Sequence, residues 1–197
     1  MHALSLIVVL PLIGFLLNAA LGARLGKRFV SLVGCGFPVA AAAVAAWSFW
    51  TLRAASAPLD ETAFTWAAFG GSSLEVGFLF DRLSGVMALV VTGVGSLIHI
   101  YSTGYMKEDR SYARYFAYLN LFLFFMLLLV LGKSLLVLFV GWEGVGLASY
   151  LLIGFWFEDP EKAKAYRASS QPIDQEVCTM CGDLCAVKRS RNILEKA

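Results

Sequence analysis

Charge is scarce in this sequence. Only 15% of its 197 residues are Asp, Glu, Lys or Arg, while 59% are hydrophobic; a soluble domain carries about 25% charged residues. That shortage argues against a soluble globular protein. The net charge is only +2, and no basic stripe with interleaved aromatics occurs, so nucleic acid is set aside as a partner. Cysteine is also scarce. There are four, and three of them (Cys178, Cys181 and Cys185) crowd the C-terminal end, while Cys35 stands alone in an apolar run. A secreted disulfide framework would use an even set spread through a small fold. A retained first span rather than a cleaved signal peptide is expected from another lack. The opening Met-His-Ala-Leu has no basic residue, and the apolar run behind it is too long for a signal core.

Long apolar runs are what the chain has instead. A helix needs about 20 apolar residues to cross a hydrocarbon core of about 30 Å. Five runs qualify, at roughly 3–21, 29–52, 83–103, 115–131 and 134–157. They are apolar all round, unlike the one-sided helices of a soluble surface. The fold class expected is an all-α membrane protein of five transmembrane helices. Residues 1–157 form its membrane region, and 158–197 a small charged, cysteine-containing tail.

Loop charges give the expected orientation. Arg24, Lys27 and Arg28 follow the first run, Lys107, Arg110 and Arg114 the third, and Lys162, Lys164 and Arg167 the fifth. The opposite loops carry mainly Arg53, Arg82 and Lys133. The N-terminus is therefore expected outside and the tail in the cytoplasm. Between the second and third runs, Phe64, Trp66 and Ala68 alternate, Gly70-Gly71 mark a turn, and Leu74, Val76, Phe78 and Phe80 alternate again. This pattern predicts a β-hairpin over about 64–80, capping the outside ends of the helices.

Glu143 is the most informative residue in the membrane region. It lies about nine residues into the fifth run, roughly 14 Å along a helix, which is close to the midplane. An ionisable group there costs about 3 kcal/mol on insertion scales. It must face a cavity, pair with a cation or hold its proton, and each option suits a proton relay. The alternative is a simple helix–helix hydrogen-bond partner. The flanking Gly141, Gly144 and Gly146 allow close helix approach or local loosening of the backbone. His99, late in the third run, reads either as a proton shuttle or as an interface histidine. Lys133 reads as an anchor snorkelling to the outside edge.

These residues resemble a known family. Leu97-Ile-His-Ile-Tyr-Ser-Thr-Gly-Tyr-Met106, Phe80-Asp-Arg-Leu-Ser84 and Gly141-Trp-Glu-Gly-Val-Gly-Leu-Ala-Ser-Tyr-Leu-Leu-Ile-Gly-Phe-Trp156 resemble the antiporter-like membrane subunits of NADH:quinone oxidoreductase, complex I. The closest resemblance is to the largest and most distal of them, chain L, over residues 1 to about 165. It implies inverted repeats around broken helices and a chain of charged residues at mid-membrane. Glu143 corresponds to the family's membrane glutamate, which pairs with a lysine on a later helix to move protons. The implied partners are the other membrane-arm subunits and the lipid bilayer, in the inner membrane of a bacterium, with no cofactor in the membrane part. The family has more than a dozen spans. A chain with five reads as a truncated subunit, contributing Glu143 and His99 to a proton path that the remaining spans complete.

The tail carries a different signal. Cys178, Cys181 and Cys185 are spaced C-x2-C-x3-C. Three thiolates can hold a 4Fe-4S cluster with one open iron, where S-adenosylmethionine binds; zinc normally takes a fourth protein ligand. Residues 158–197 resemble the cluster-bearing tail of phosphomethylpyrimidine synthase and 5-hydroxybenzimidazole synthase, with one residue fewer before the last cysteine. This leaves two further readings: a chimera joined near 158–165, in which a radical-enzyme tail follows a membrane leader, or a membrane fragment with no activity.

Overall fold

A computed structural model of the chain describes residues 3–55, 57–70 and 72–155. Among the described residues, four helices are long and apolar enough to cross a membrane, and the chain is a multi-pass membrane protein. The first, α1 (Ala3–Ala54), has 52 residues, more than twice what one crossing needs. It is two helical arms that reverse at Gly26, where φ is 83° and ψ is 173°. That backbone region is essentially open to glycine alone.

Packing proves the reversal. A Cβ on Gly14 would lie 3.3 Å from Phe37 Cβ, one on Gly34 3.2 Å from Asn18 Nδ2, and one on Gly22 3.0 Å from Val30 Cγ2. Residue numbers rise on one arm as they fall on the other, so the arms are antiparallel and make the first two of five crossings.

A β-hairpin follows, β1 (Leu59–Phe69) and β2 (Ser72–Phe80), antiparallel from Leu59↔Phe80 to Phe69↔Ser72. It begins five residues before the predicted 64. The added residues are Leu59 to Ala63, and two of them are acidic. Glu61 accepts from the backbone N–H groups of Leu4 at 2.9 Å and Ser5 at 3.1 Å, and from the Ser5 hydroxyl. A carboxylate on the orphan N–H groups of a helix start is favourable, and this holds the first strand against α1. The predicted alternation also breaks. The register shifts on either side of Ala63 and Trp66, and Phe64 and Trp66 are exposed, while Phe78 and Phe80 are buried.

Then come α2 (Arg82–Tyr105), α3 (Tyr112–Leu131) and α4 (Leu135–Ile153). Asp81 starts α2 with a capping box. Its side chain accepts from the Ser84 N–H at 2.7 Å, and the Ser84 hydroxyl accepts from the Asp81 N–H at 2.8 Å. The Ser84 N–H holds the Asp81 carboxyl below its ordinary pKa. The fifth crossing was expected to reach 157, but α4 stops at Ile153. Gly154 ends it, its N–H donating to Tyr150 O at 2.9 Å. Phe155 then turns in to pack edge-on against Tyr115, and its carbonyl accepts from Arg114.

α3 packs against α1, α2 and α4, which makes it the centre of the bundle. The apolar interior divides in two. One cluster, around Ile7, Phe78, Phe80, Leu127 and Leu131, lies at the hairpin end. The other, around Val30, Met106, Tyr112, Phe116 and Phe155, lies at the elbow end near Gly26. The hairpin is tied to the α3–α4 connection. Phe78 bridges Gly132, and the Lys133 N–H donates to Gly77 O at 3.0 Å. Lys133 also forms an ion pair with Asp60 at 2.8 Å, and that partner raises the pKa of its ammonium. It is therefore a tether to the hairpin as well as an anchor at the helix ends.

Candidate functional site

The position of Glu143 follows from how α4 docks. Val137, Gly141, Gly144 and Ala148 are its buried residues, recurring at helical spacing along one face. Two of them are glycines because α3 comes very close. A Cβ on Gly141 would lie 2.6 Å from the backbone N of Leu129, and one on Gly144 would fall inside the Phe125 ring. At about 100° per residue, Glu143 sits roughly 130° around the helix from the centre of that face.

Glu143 is accordingly exposed on the chain's own surface. Phe139 and Leu147, one turn before and after it, are exposed too, as are Trp142 and Tyr150. No hydrogen bond or ion pair reaches its carboxylate from the described residues. A lone acid thus stands in an apolar stripe halfway along a membrane helix. The protein interior expected around it is not supplied by these five crossings.

His99 occupies a different place. It is 2% exposed and packs against Phe116, with ring centroids 6.3 Å apart. Its Nδ1 lies 2.7 Å from Gly95 O. A carbonyl only accepts, so Nδ1 carries the proton and Nε2 is left as an acceptor. His99 faces the α1–α3 interior, whereas Glu143 faces away from α3. They also differ in height by about seven residues of α3, roughly 10 Å. The structure does not bring the two together.

Two buried residues escaped the sequence reading. Asn120 is fully enclosed, its Nδ2 donating to Phe116 O at 2.9 Å and Gly34 O at 3.3 Å. Asn18 is 1% exposed. Both are uncharged, so a search for ionisable residues passes over them. The available signal was an amide inside an apolar run, with Gly14 and Gly22 each four residues from Asn18. Cys178, Cys181 and Cys185 lie outside the described residues. Among the described residues, no group of three or more His, Cys, Asp or Glu could hold a metal ion.

Comparison with known proteins places this geometry. The family model for the N-terminus of chain 5 of NADH-ubiquinone oxidoreductase (complex I) matches residues 66–116. The model for the transmembrane region of NADH:quinone oxidoreductase and Mrp antiporters matches residues 132–169, including Glu143. NADH-quinone oxidoreductase subunit L of Mycobacterium tuberculosis is 45% identical over 167 residues, covering 83% of this chain and 26% of that protein. The membrane part of this chain belongs to the subunit L/chain 5 family of complex I, as its N-terminal part. Subunit L of Escherichia coli is 42% identical over 84% of the chain and 27% of its own length. Chain 5 of Rhizopus stolonifer is 42% identical over 81% and 24%. The chain thus spans about a quarter of the length of these relatives. The fold is also similar to part of a solved chain of the membrane-bound sulfane sulfur reductase, an archaeal respiratory membrane complex. That match has a TM-score of 0.59 at 14% identity, over 76% of this chain and 30% of that one.

Proposed function

We propose that this chain serves the membrane arm of a proton-translocating NADH:quinone oxidoreductase, with Glu143 as its contribution to the proton path. The observation that carries this reading is the acid on the outward face of α4. Left against lipid, it costs about 3 kcal/mol. Facing further helices that bring a cation, it becomes one half of a charge pair whose protonation can change. The named relatives are subunits of NADH-quinone oxidoreductase, and their greater length leaves room for those helices. The partners proposed are the other membrane-arm subunits, with the surrounding lipid. An affinity-tagged chain purified from bacterial membranes is expected to bring down those subunits. A chain recovered without them would count against this reading.

The proposed membrane is the bacterial inner membrane, with the elbow end of the bundle in the cytoplasm. That end carries Arg24, Lys27, Arg28, Lys107, Arg110 and Arg114 against Glu108 and Asp109. The hairpin end carries Arg53, Arg82 and Lys133 against Asp60, Glu61, Glu75 and Asp81. Cationic loops stay on the cytoplasmic side. With Cys35, Cys178, Cys181 and Cys185 replaced by serine, a Lys107→Cys variant should react with an impermeant maleimide in inside-out vesicles and not in right-side-out ones; the reverse pattern inverts the topology.

A further inference from the structure

Four unpartnered polar atoms share one level of the bundle. They are Nδ2 and Oδ1 of Asn18, Oδ1 of Asn120 and Nε2 of His99, all buried and without a hydrogen-bond partner among the described residues. The helices fix the level. On α2, Gly95 meets Leu123 of α3, a Cβ there lying 3.0 Å from Leu123 Cδ1. Further along, the Ser102 hydroxyl lies 3.1 Å from the Tyr115 hydroxyl. His99 therefore stands opposite about residue 119 of α3, beside Asn120 and against the Phe116 ring. Asn120 reaches α1 through Gly34 O, and its Oδ1 lies 2.6 Å from where a Cβ of Gly14 would be. Asn18 Nδ2 lies 3.2 Å from the Cβ position of the same Gly34. Three crossings so bring a polar side chain to one layer, at the seam between the two apolar clusters.

The chemistry of the layer selects its ligand. Nδ1–H of His99 is spent on Gly95 O, so the open atoms are three acceptors and one amide donor. An anion has too few donors to meet. No carboxylate is present to hold a cation, and glycine-mediated packing of α1 on α3 leaves no room for an organic molecule. A small neutral molecule that both donates and accepts fits. Buried polar groups are normally satisfied by protein or ordered water, and inside a membrane no bulk water is at hand to do it. We infer that an internal water site lies here, ringed by Asn18, Asn120 and His99 around Phe116. A water has two hydrogens to give, so the three acceptors take two waters. One accepts from Asn18 Nδ2 and donates to one amide oxygen and to the second water, which donates to the other amide oxygen and to Nε2 of His99. The second water and Gly95 O thereby hold His99 as a neutral Nδ1–H tautomer from both sides. This site lies apart from Glu143 and stands whether or not that residue carries protons.

X-ray radiolysis in 18O-labelled water tests the site in the full chain, reconstituted in lipid nanodiscs. Radicals formed from bound water oxidise the side chains they touch. Phe116 and Phe80 are both fully buried, but Phe80 sits in the apolar cluster at the hairpin end. Phe116 is expected to take up label at least several-fold faster than Phe80. Equal, slow labelling would mean that the amides pair with each other in a dry interior, and the inference would be wrong. This comparison needs no variant. In the double variant Asn18→Leu, Asn120→Leu, labelling of Phe116 should drop to the Phe80 level while Phe80 is unchanged. Persistent labelling of Phe116 in that variant would overturn the assignment to the two amides.

Discussion

On the inner side of α3, Asn120 is enclosed and donates to two backbone carbonyls. On the outward side of α4, Glu143 stands among Phe139, Trp142 and Leu147 with no partner from the described residues. Both are polar groups inside membrane helices, where an unsatisfied group is costly. The α1–α3 interior answers part of that cost within the chain, through back-bonds such as Thr92 to Ala88 O at 2.7 Å and Ser96 to Thr92 O at 2.7 Å, and keeps its remaining polar atoms enclosed in one layer. The α4 face leaves it open. The difference teaches that the first crossings form a closed structural unit, while α4 carries a surface built for something the described residues do not include.

Removing the charge from the open face gives the largest expected effect. Glu143→Leu in this chain alone should favour membrane insertion by about 3 kcal/mol, read as the inserted fraction in a translocon assay. Unchanged insertion would mean that Glu143 is already neutralised by a partner. The inner face of the same helix should respond in the opposite sense. Gly141→Ala forces a Cβ onto Leu129 backbone, and such overpacking typically costs about 1–3 kcal/mol. Gly146 has nothing within 4 Å of its Cβ position, so Gly146→Ala should gain up to about 1 kcal/mol from helix propensity. Unfolding in mixed micelles of rising SDS content measures both. Similar effects at the two glycines would erase the distinction between faces.

The smallest effect belongs to the hairpin end. Asp81→Ala removes the α2 cap and should cost about 1 kcal/mol at neutral pH. The Asp81 carboxyl has its pKa lowered in the fold by the Ser84 N–H. Its contribution is therefore full above the ordinary carboxylate pKa and is lost as pH falls through the lowered folded value. Native and variant unfolding curves should converge in acid. A gap that persists there would assign the effect to packing.

Much of this arrangement was legible from apolar run length. Five runs of crossing length became five crossings, because in lipid a span must satisfy its own backbone. The reversal at Gly26 fell between two predicted runs, with Arg24, Lys27 and Arg28 marking the gap. What stayed hidden depends on partners distant in the chain. Asp60 and Glu61 look like loop residues until Glu61 meets the start of α1 and Asp60 meets Lys133. The mid-span depth of Glu143 could be read by counting, but its direction could not. That direction is set by Gly141 and Gly144 docking on Leu129 and Phe125 of α3. Asn18 and Asn120 each look like single blemishes in apolar runs, and only the antiparallel packing of three helices puts them level with His99.

The most direct test of the central claim is proton translocation by complex I carrying Glu143→Gln in a full-length subunit of this family. Glutamine keeps the size and hydrogen bonding of the side chain but cannot take up or release a proton. NADH-driven acidification in reconstituted vesicles, measured per NADH oxidised and with assembly checked on native gels, is predicted to fall. Undiminished acidification by a fully assembled variant would contradict the role assigned to Glu143.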